Sequence, residues 1–162
     1  MDIITKTNFT IAANAPTPPV AVVELSALDG TNGFVINGID EFDISGFSVS
    51  AAGDVNGDGI DDFIIDARSA GPNGNASGES YIVFGSNDGF SASLELSALD
   101  GTNGFVINGI DASDSSGFSV SAAGDVNGDG VDDIIIGALF ADPNGNTSAG
   151  ESYVVFLSLI HI

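Results

Sequence analysis

The sequence predicts an all-β fold that contains about two four-stranded antiparallel sheets. Three observations support this prediction: a long internal repeat, short strand-like runs bounded by Gly, Asn and Asp, and the absence of an apolar stripe at helical spacing. Hydrophobic residues make up 43% of the 162 residues, which is enough to build a core. A disordered acidic chain is therefore excluded.

The repeat sets the organisation of the chain. The segment LSALDGTNGFVINGID at 25–40 recurs unchanged at 96–111, and GFSVSAAGDVNGDG at 46–59 recurs at 117–130. Each second copy begins 71 residues after the first, a length with room for four strands and their loops. We divide the chain into an N-terminal segment, two repeats and a tail, at 1–23, 24–94, 95–156 and 157–162 respectively.

The strands are predicted from local patterns within each repeat. The segment GFSVSAA at 46–52 alternates Phe, Val and Ala with Ser, which is the period of a strand. The other predicted strands of the first repeat are FVINGI at 34–39, FIID at 63–66 and SYIVFG at 80–85. Several are apolar on both faces, so we expect the sheets to be covered by neighbours. In the two LDGTNG segments we expect a turn in which Asp29 and Asp100 bind backbone amides.

The tail, LSLIHI at 157–162, departs from the repeat. The equivalent place in the first repeat is the polar turn GSNDGF at 85–90. The codons CTG TCT CTT ATA CAC ATC would encode LSLIHI, and they form the mosaic end used in transposase-based sequencing libraries. We interpret the tail as translated adapter and expect the chain to be a fragment. The alternative is a genuine apolar strand.

The charge of the chain restricts its partners. There are 23 Asp and Glu residues against Lys6 and Arg68 alone, for a net charge of −21. Such a surface repels nucleic acid and anionic lipid and attracts cations. The absence of Cys excludes disulfides, thiolate metal sites and a cysteine nucleophile. No apolar run is long enough to span a membrane, so we expect neither nucleic-acid binding nor membrane insertion.

The acidic residues concentrate in two loops, GDVNGDGIDD at 53–62 and GDVNGDGVDD at 124–133. Counted from the first Asp, oxygen-bearing side chains occupy positions 1, 3, 5 and 9, and position 7 can offer its backbone carbonyl. Gly59, at position 6, permits a sharp turn. Mixed carboxylate, amide and carbonyl oxygens are the ligands that Ca²⁺ takes. The predicted ligands are Asp54, Asn56, Asp58, Ile60 and Asp62 in the first loop, and Asp125, Asn127, Asp129, Val131 and Asp133 in the second.

Three alternatives compete with this interpretation. An EF-hand has the same first half but a bidentate Glu at position 12, where this chain has Ile65 and Ile136 within predicted strands. Magnesium demands stricter octahedral geometry and is the second choice of ion. A plain Asn-Gly or Asp-Gly hairpin turn needs no acceptor at every odd position. Asp61 and Asp132, at position 8, fall outside the ligand set.

The order of these segments resembles the FG-GAP repeat. The matching features are GFSVSAAGD, then DVNGDGIDD, an apolar strand and GESYIVFG, over about residues 24–156. The resemblance implies blades of a β-propeller, as in integrin α-subunits and many bacterial surface and secreted proteins. It also implies one calcium ion per repeat, two in this chain, in the loop between the first two strands of a blade. The Phe-Gly of the family is inverted here, as Gly46-Phe47 and Gly117-Phe118.

Two repeats cannot close a propeller, which needs about four to eight blades. We therefore expect a partial propeller whose other blades belong to a longer chain. The function expected is a non-catalytic module, extracellular and of bacterial type, that presents loops to a protein or glycan. No residue is assigned to catalysis or to any cofactor besides calcium. The alternative is the propeller portion of a secreted enzyme that cleaves polysaccharides or phosphoesters.

Overall fold

The computed structural model describes residues 22–158, which form an all-β structure with antiparallel sheets, as the sequence predicts. Nine strands are present in these residues, with three single-turn 3₁₀ helices at Leu25–Ala27, Leu96–Ala98 and Pro143–Gly145. The strands are β1 (Val35–Asn37), β2 (Val49–Gly53), β3 (Asp62–Ala67), β4 (Glu79–Val83), β5 (Ser93–Glu95), β6 (Gly104–Asn108), β7 (Ser116–Gly124), β8 (Asp133–Ala138) and β9 (Glu151–Val155).

The first sheet has the strand order β2-β3-β4-β6, with every neighbouring pair antiparallel. Its fourth strand, β6, comes from the second repeat and pairs with β4 so that Val106 lies opposite Tyr81. The boundaries of this sheet therefore differ from those of the sequence repeat, because its last strand belongs to the second repeat. The cause is hydrophobic: Phe105 and Ile107, on one face of β6, pack against the core that the first sheet already forms.

The second sheet, β7-β8-β9, contains three strands within residues 22–158 instead of the predicted four. The strand of the first repeat that corresponds to β6 is β1, and it pairs in parallel with β5. This two-stranded pair was not predicted. Parallel pairing of strands far apart in sequence leaves no local signal, whereas a hairpin does.

The main core lies between the two sheets. Alternate residues of β3 and β4, including Ile64 and Ile82, face the second sheet, which contributes Ile134 and Ile136. All four side chains are at most 1% exposed. A second cluster covers the opposite face of the first sheet around Tyr81. The strands β3 and β4 are thus covered on both faces, as their doubly apolar sequences predict, whereas Val49 of β2 is exposed on the outer face.

The second sheet leaves apolar side chains on its outer face. The exposed residues Val126, Ile135, Val154 and Phe156 occupy the repeat positions of Val55, Ile64, Ile82 and Phe84, which the first sheet buries. No helix within residues 22–158 has the length and apolar character to cross a membrane.

The two LDGTNG turns form as predicted. The carboxylate of Asp29 accepts a hydrogen bond from the Thr31 amide at 2.9 Å, and that of Asp100 accepts one from the Thr102 amide at 2.9 Å. These bonds, together with those from the threonine hydroxyls, lower the pKa of both aspartates. In the tail, Leu157 is buried in the main core. Residues 159–162 lie outside the described range, and the adapter interpretation stays a prediction.

Candidate metal-binding loops

Both acidic segments connect adjacent antiparallel strands. The first loop joins β2 to β3 and the second joins β7 to β8, so each lies on a β-hairpin. Ile65 and Ile136, at position 12, lie inside β3 and β8. The flanking strands exclude the helix–loop–helix arrangement of an EF-hand, as the sequence indicates.

The side chains at positions 1, 3 and 5 turn towards the loop backbone. In the first loop, the carboxylate of Asp54 accepts hydrogen bonds from the amides of Asp58, at 3.0 Å, and Gly59, at 2.8 Å. The Asp58 amide also donates to Asn56 Oδ1 at 2.9 Å, and Asp58 Oδ1 accepts from the Ile60 amide at 2.8 Å. The second loop repeats these four contacts at Asp125, Asn127, Asp129 and Val131, with distances of 2.9 to 3.0 Å.

Position 9 is anchored at the base of each loop. Asp62 is 2% exposed, and its two carboxylate oxygens accept hydrogen bonds from the amides of Val55, at 2.9 Å, and Gly85, at 2.7 Å. Asp133 is fully buried and accepts from Val126 and Leu157, each at 2.9 Å. These bonds fix both carboxylates without using a basic side chain.

The electrostatics of the first loop favour a cation. The pKa of Asp62 is raised above its usual value, chiefly by burial. The two amide bonds oppose the rise, and the charges of Asp58 and Asp54 add to it. No Lys or Arg occurs in either loop sequence. The like charges are therefore offset only by amide dipoles, and a divalent ion would relieve the repulsion.

The loop side chains do not converge into a complete cage. Within residues 22–158, no group of three or more His, Asp or Glu side chains is arranged to hold a metal ion. The structure brings positions 1, 3 and 5 together through shared amides and holds position 9 separately at the loop base. The donor set is all oxygen, which suits calcium in type and charge. Calcium binding and its ten predicted ligands stay a prediction.

One contact at the loops was missed by the sequence analysis. Asp132, at position 8 of the second loop, reaches the first loop: its Oδ2 accepts a hydrogen bond from the Asp54 amide at 3.1 Å. The Asp132 amide donates in return to the Asp54 carbonyl at 3.2 Å. The contact joins residues 78 positions apart, so the local spacing of the loop gives no sign of it.

At the other end of β3, a second polar group lies between the sheets. Asp66 is fully buried; its Oδ1 accepts a hydrogen bond from Ser80 Oγ at 3.3 Å, and its Oδ2 has no hydrogen-bond partner among the described residues. The guanidinium of Arg68 lies 4.2 Å from the ring centre of Phe47 and 5.7 Å from that of Phe118. Burial raises the pKa of Asp66 to about 7, although the Ser80 bond and the charge of Arg68 oppose the rise.

The family model that matches this chain is the FG-GAP repeat, over residues 45–83 and 116–155. Two segments of the chain are thus similar to the FG-GAP repeat. Each match covers three strands and the acidic hairpin loop, β2 to β4 in the first and β7 to β9 in the second. The FG-GAP repeats therefore follow the sheets, whereas the 71-residue sequence unit begins earlier.

Curated relatives extend the comparison. The chain is 36% identical to integrin alpha pat-2 of Caenorhabditis elegans over 119 residues, and 33% identical to integrin alpha pat-2 of Caenorhabditis briggsae over 123 residues. In both cases the alignment covers 72% of this chain and 9% of the relative. The chain thus spans less than a tenth of these relatives. Both come from nematodes, and the bacterial source expected above stays a prediction.

Proposed function

We propose that this chain is a calcium-binding, non-catalytic portion of an extracellular adhesion-type β-propeller, which presents its loops to a protein or glycan. The observation that carries the proposal is the pair of acidic hairpin loops, one in each FG-GAP repeat, with the same hydrogen-bond pattern. The similarity to integrin α chains supports the adhesion class and the extracellular location. Neither comparison favours the alternative of an enzyme portion.

Calcium would be held in each repeat by the predicted ligands. In the first loop these are the side chains of Asp54, Asn56, Asp58 and Asp62 and the carbonyl of Ile60. A bound ion would neutralise the carboxylates and stiffen the hairpin. Extracellular modules bind calcium with dissociation constants of about 10⁻⁴–10⁻³ M. Affinities in that range would fill the sites outside cells and leave them empty inside.

Calcium removal tests the proposal. Because the loop carboxylates repel one another without a cation, binding free energy contributes directly to folding free energy. We expect a higher unfolding temperature in millimolar calcium than in chelator, and a smaller rise in magnesium. Scanning calorimetry measures both. An unfolding temperature that is the same in calcium and in chelator would contradict the proposal.

Ligand substitutions test which residues are involved. We expect Asp58→Ala and Asp129→Ala each to remove binding at its own loop, since each deletes a carboxylate at position 5. Asp61→Ala is the matched control, because Asp61 is exposed and lies outside the ligand set. Isothermal titration with calcium counts the sites in each variant. Equal losses in Asp61→Ala and Asp58→Ala would show that the ligand register is wrong.

A further inference from the structure

The two loops are physically joined through Asp132. The half-buried side chain of Asp132 accepts the Asp54 amide, and the Asp132 amide donates to the Asp54 carbonyl, so Asp54 is held at both of its backbone polar groups. Asp54 is the first predicted ligand of its loop, and its carboxylate also organises the amides of Asp58 and Gly59. The backbone that positions this carboxylate is therefore fixed from the neighbouring repeat.

The space for this contact exists because position 53 is glycine. A Cβ atom on Gly53 would lie 2.1 Å from Asp132 Oδ2, well inside contact distance. Gly124, its equivalent in the second repeat, has nearly the same backbone angle, φ +70° against +78°, but nothing lies within 4 Å of a Cβ built there. The two glycines thus share a conformation but differ in the contact.

We propose that Asp132 is a positioning residue that couples the two loops, so that calcium bound in the second loop raises the affinity of the first. The inference rests on the proposed calcium function. In the second loop, Asp132 lies between the predicted ligands Val131 and Asp133. Ordering these two residues around an ion also orders Asp132, which in turn holds the Asp54 amide. Linkage makes the coupling reciprocal.

The experiment is calcium titration of the full 162-residue chain, with both sites resolved, in wild type and variants. Asp129→Ala disables the second loop and reports the affinity of the first loop without its neighbour. We expect this affinity to be about tenfold weaker than in wild type, the upper end of the effect of one hydrogen bond. Asp132→Ala should weaken the first loop by a similar factor, and adding Asp129→Ala to it should cost little more.

Three controls distinguish the effect of losing the hydrogen bond from the effects of losing a charge and of disturbing the fold. Asp132→Asn keeps an acceptor oxygen but removes the charge, and we expect it to retain most of the affinity. Asp61→Ala removes a charge from the first loop itself and should have a smaller effect. Gly53→Ala should weaken its own loop as Asp132→Ala does. Gly124→Ala carries nearly the same backbone strain but meets no neighbouring atom, so it should weaken its own loop less.

A second readout is hydrogen exchange at the Asp54 amide, measured in Asp58→Ala so that only the second loop binds calcium. Calcium should raise the protection of this amide above its value in chelator. Adding Asp132→Ala should abolish the rise, whereas adding Asp132→Asn should keep it. If wild type binds calcium while Asp132→Ala keeps the affinity and protection of wild type, the coupling is wrong and the calcium function stands. If Asp132→Asn weakens the first loop as much as Asp132→Ala, charge and not positioning is the cause. If wild type binds no calcium, the proposed function fails first.

Discussion

Asp66 is an aspartate whose surroundings oppose its charge. It is fully buried between the sheets, one of its oxygens has no hydrogen-bond partner within residues 22–158, and its pKa is raised to about 7 from 3.8. Because the native pKa lies above the unfolded value, the native state keeps the proton over a pH range in which the unfolded chain has lost it. The stability linked to this group is therefore complete below about pH 4 and is lost as the pH rises towards 7.

We expect the Asp66→Asn variant to remove this pH dependence. The difference between the two pKa values corresponds to roughly 4 kcal/mol of stability lost by pH 7, because the buried carboxylate must then ionise. Urea unfolding of wild type and variant at fixed calcium from pH 4 to pH 8 measures the difference between their slopes. Asp88→Asn, an exposed aspartate elsewhere in the first repeat, is the control and should follow wild type. If the free energy of unfolding changed equally with pH in wild type and Asp66→Asn, the raised pKa of Asp66 would be contradicted.

At this scale the sequence predicts local contacts and misses distant ones. The spacing of oxygen side chains correctly indicates a compact hairpin loop, since the hydrogen bonds of positions 1, 3 and 5 join residues two to five positions apart. The Asp132 contact joins the two repeats, and Asp66 lies against Gly117 of the second repeat. Arg68 lies against the rings of Phe47, in its own repeat, and Phe118, in the other. No pattern within 71 residues contains that information.

The contact between the two sheets depends on a glycine in β7. A Cβ atom on Gly117 would lie 1.4 Å from Asp66 Oδ1, whereas nothing lies within 4 Å of one on Gly46, its equivalent in the first repeat. The two positions have φ angles of +85° and +82°, so an alanine meets the same backbone strain at both. They form a pair matched in backbone angle, in which Gly117 is buried against the other sheet and Gly46 is exposed.

We expect Gly46→Ala to lower the free energy of unfolding by about 1 kcal/mol, from backbone strain alone. Gly117→Ala should cost at least about 2 kcal/mol more, because either the sheets must separate or the buried Asp66 must move. Urea unfolding at pH 5, where Asp66 is protonated in the folded protein, measures both. Equal losses in the two variants would show that the sheets are not packed as described.

At the level of secondary-structure elements, the sequence predicts the hairpins but not the pairing of strands from different repeats. The β2–β3 and β7–β8 pairs follow from alternation and turn residues, which are local. The pairing of β6 with β4 joins two repeats, and the identical strand in the first repeat, β1, pairs differently. The same sequence thus occurs in two pairings, and the neighbouring strands decide between them.

For the molecule as a whole, the edge of β9, which pairs with no further strand within residues 22–158, is the place where a further strand would fit. The strands β4 and β9 have nearly the same sequence, ESYIV and ESYVV, and β4 pairs with β6. We expect a chain extended after Leu157 by a copy of residues 86–109 to gain a fourth strand on the second sheet. The unfolding temperature should rise, because the copy brings two apolar side chains onto the exposed apolar outer face of the second sheet.

The matched control carries the same extension with serine at the positions copied from Phe105 and Ile107, which face the core in the first sheet. It adds the same length and the same backbone groups but little apolar surface. Scanning calorimetry in calcium compares the two extended chains with the parent. If both extensions raise the unfolding temperature equally, the added strand is not docked in the β4–β6 register.

The position of β6 also affects what happens when the backbone is cut. The exposed turn at 86–89 lies between β4 and β6 and offers a protease an accessible site. A single cleavage there would give two polypeptides, one ending after β4 and the other carrying β6. Their backbones would remain hydrogen-bonded, because β4 and β6 pair over five residues. Limited proteolysis should therefore give two bands on a denaturing gel and a single peak on a native sizing column.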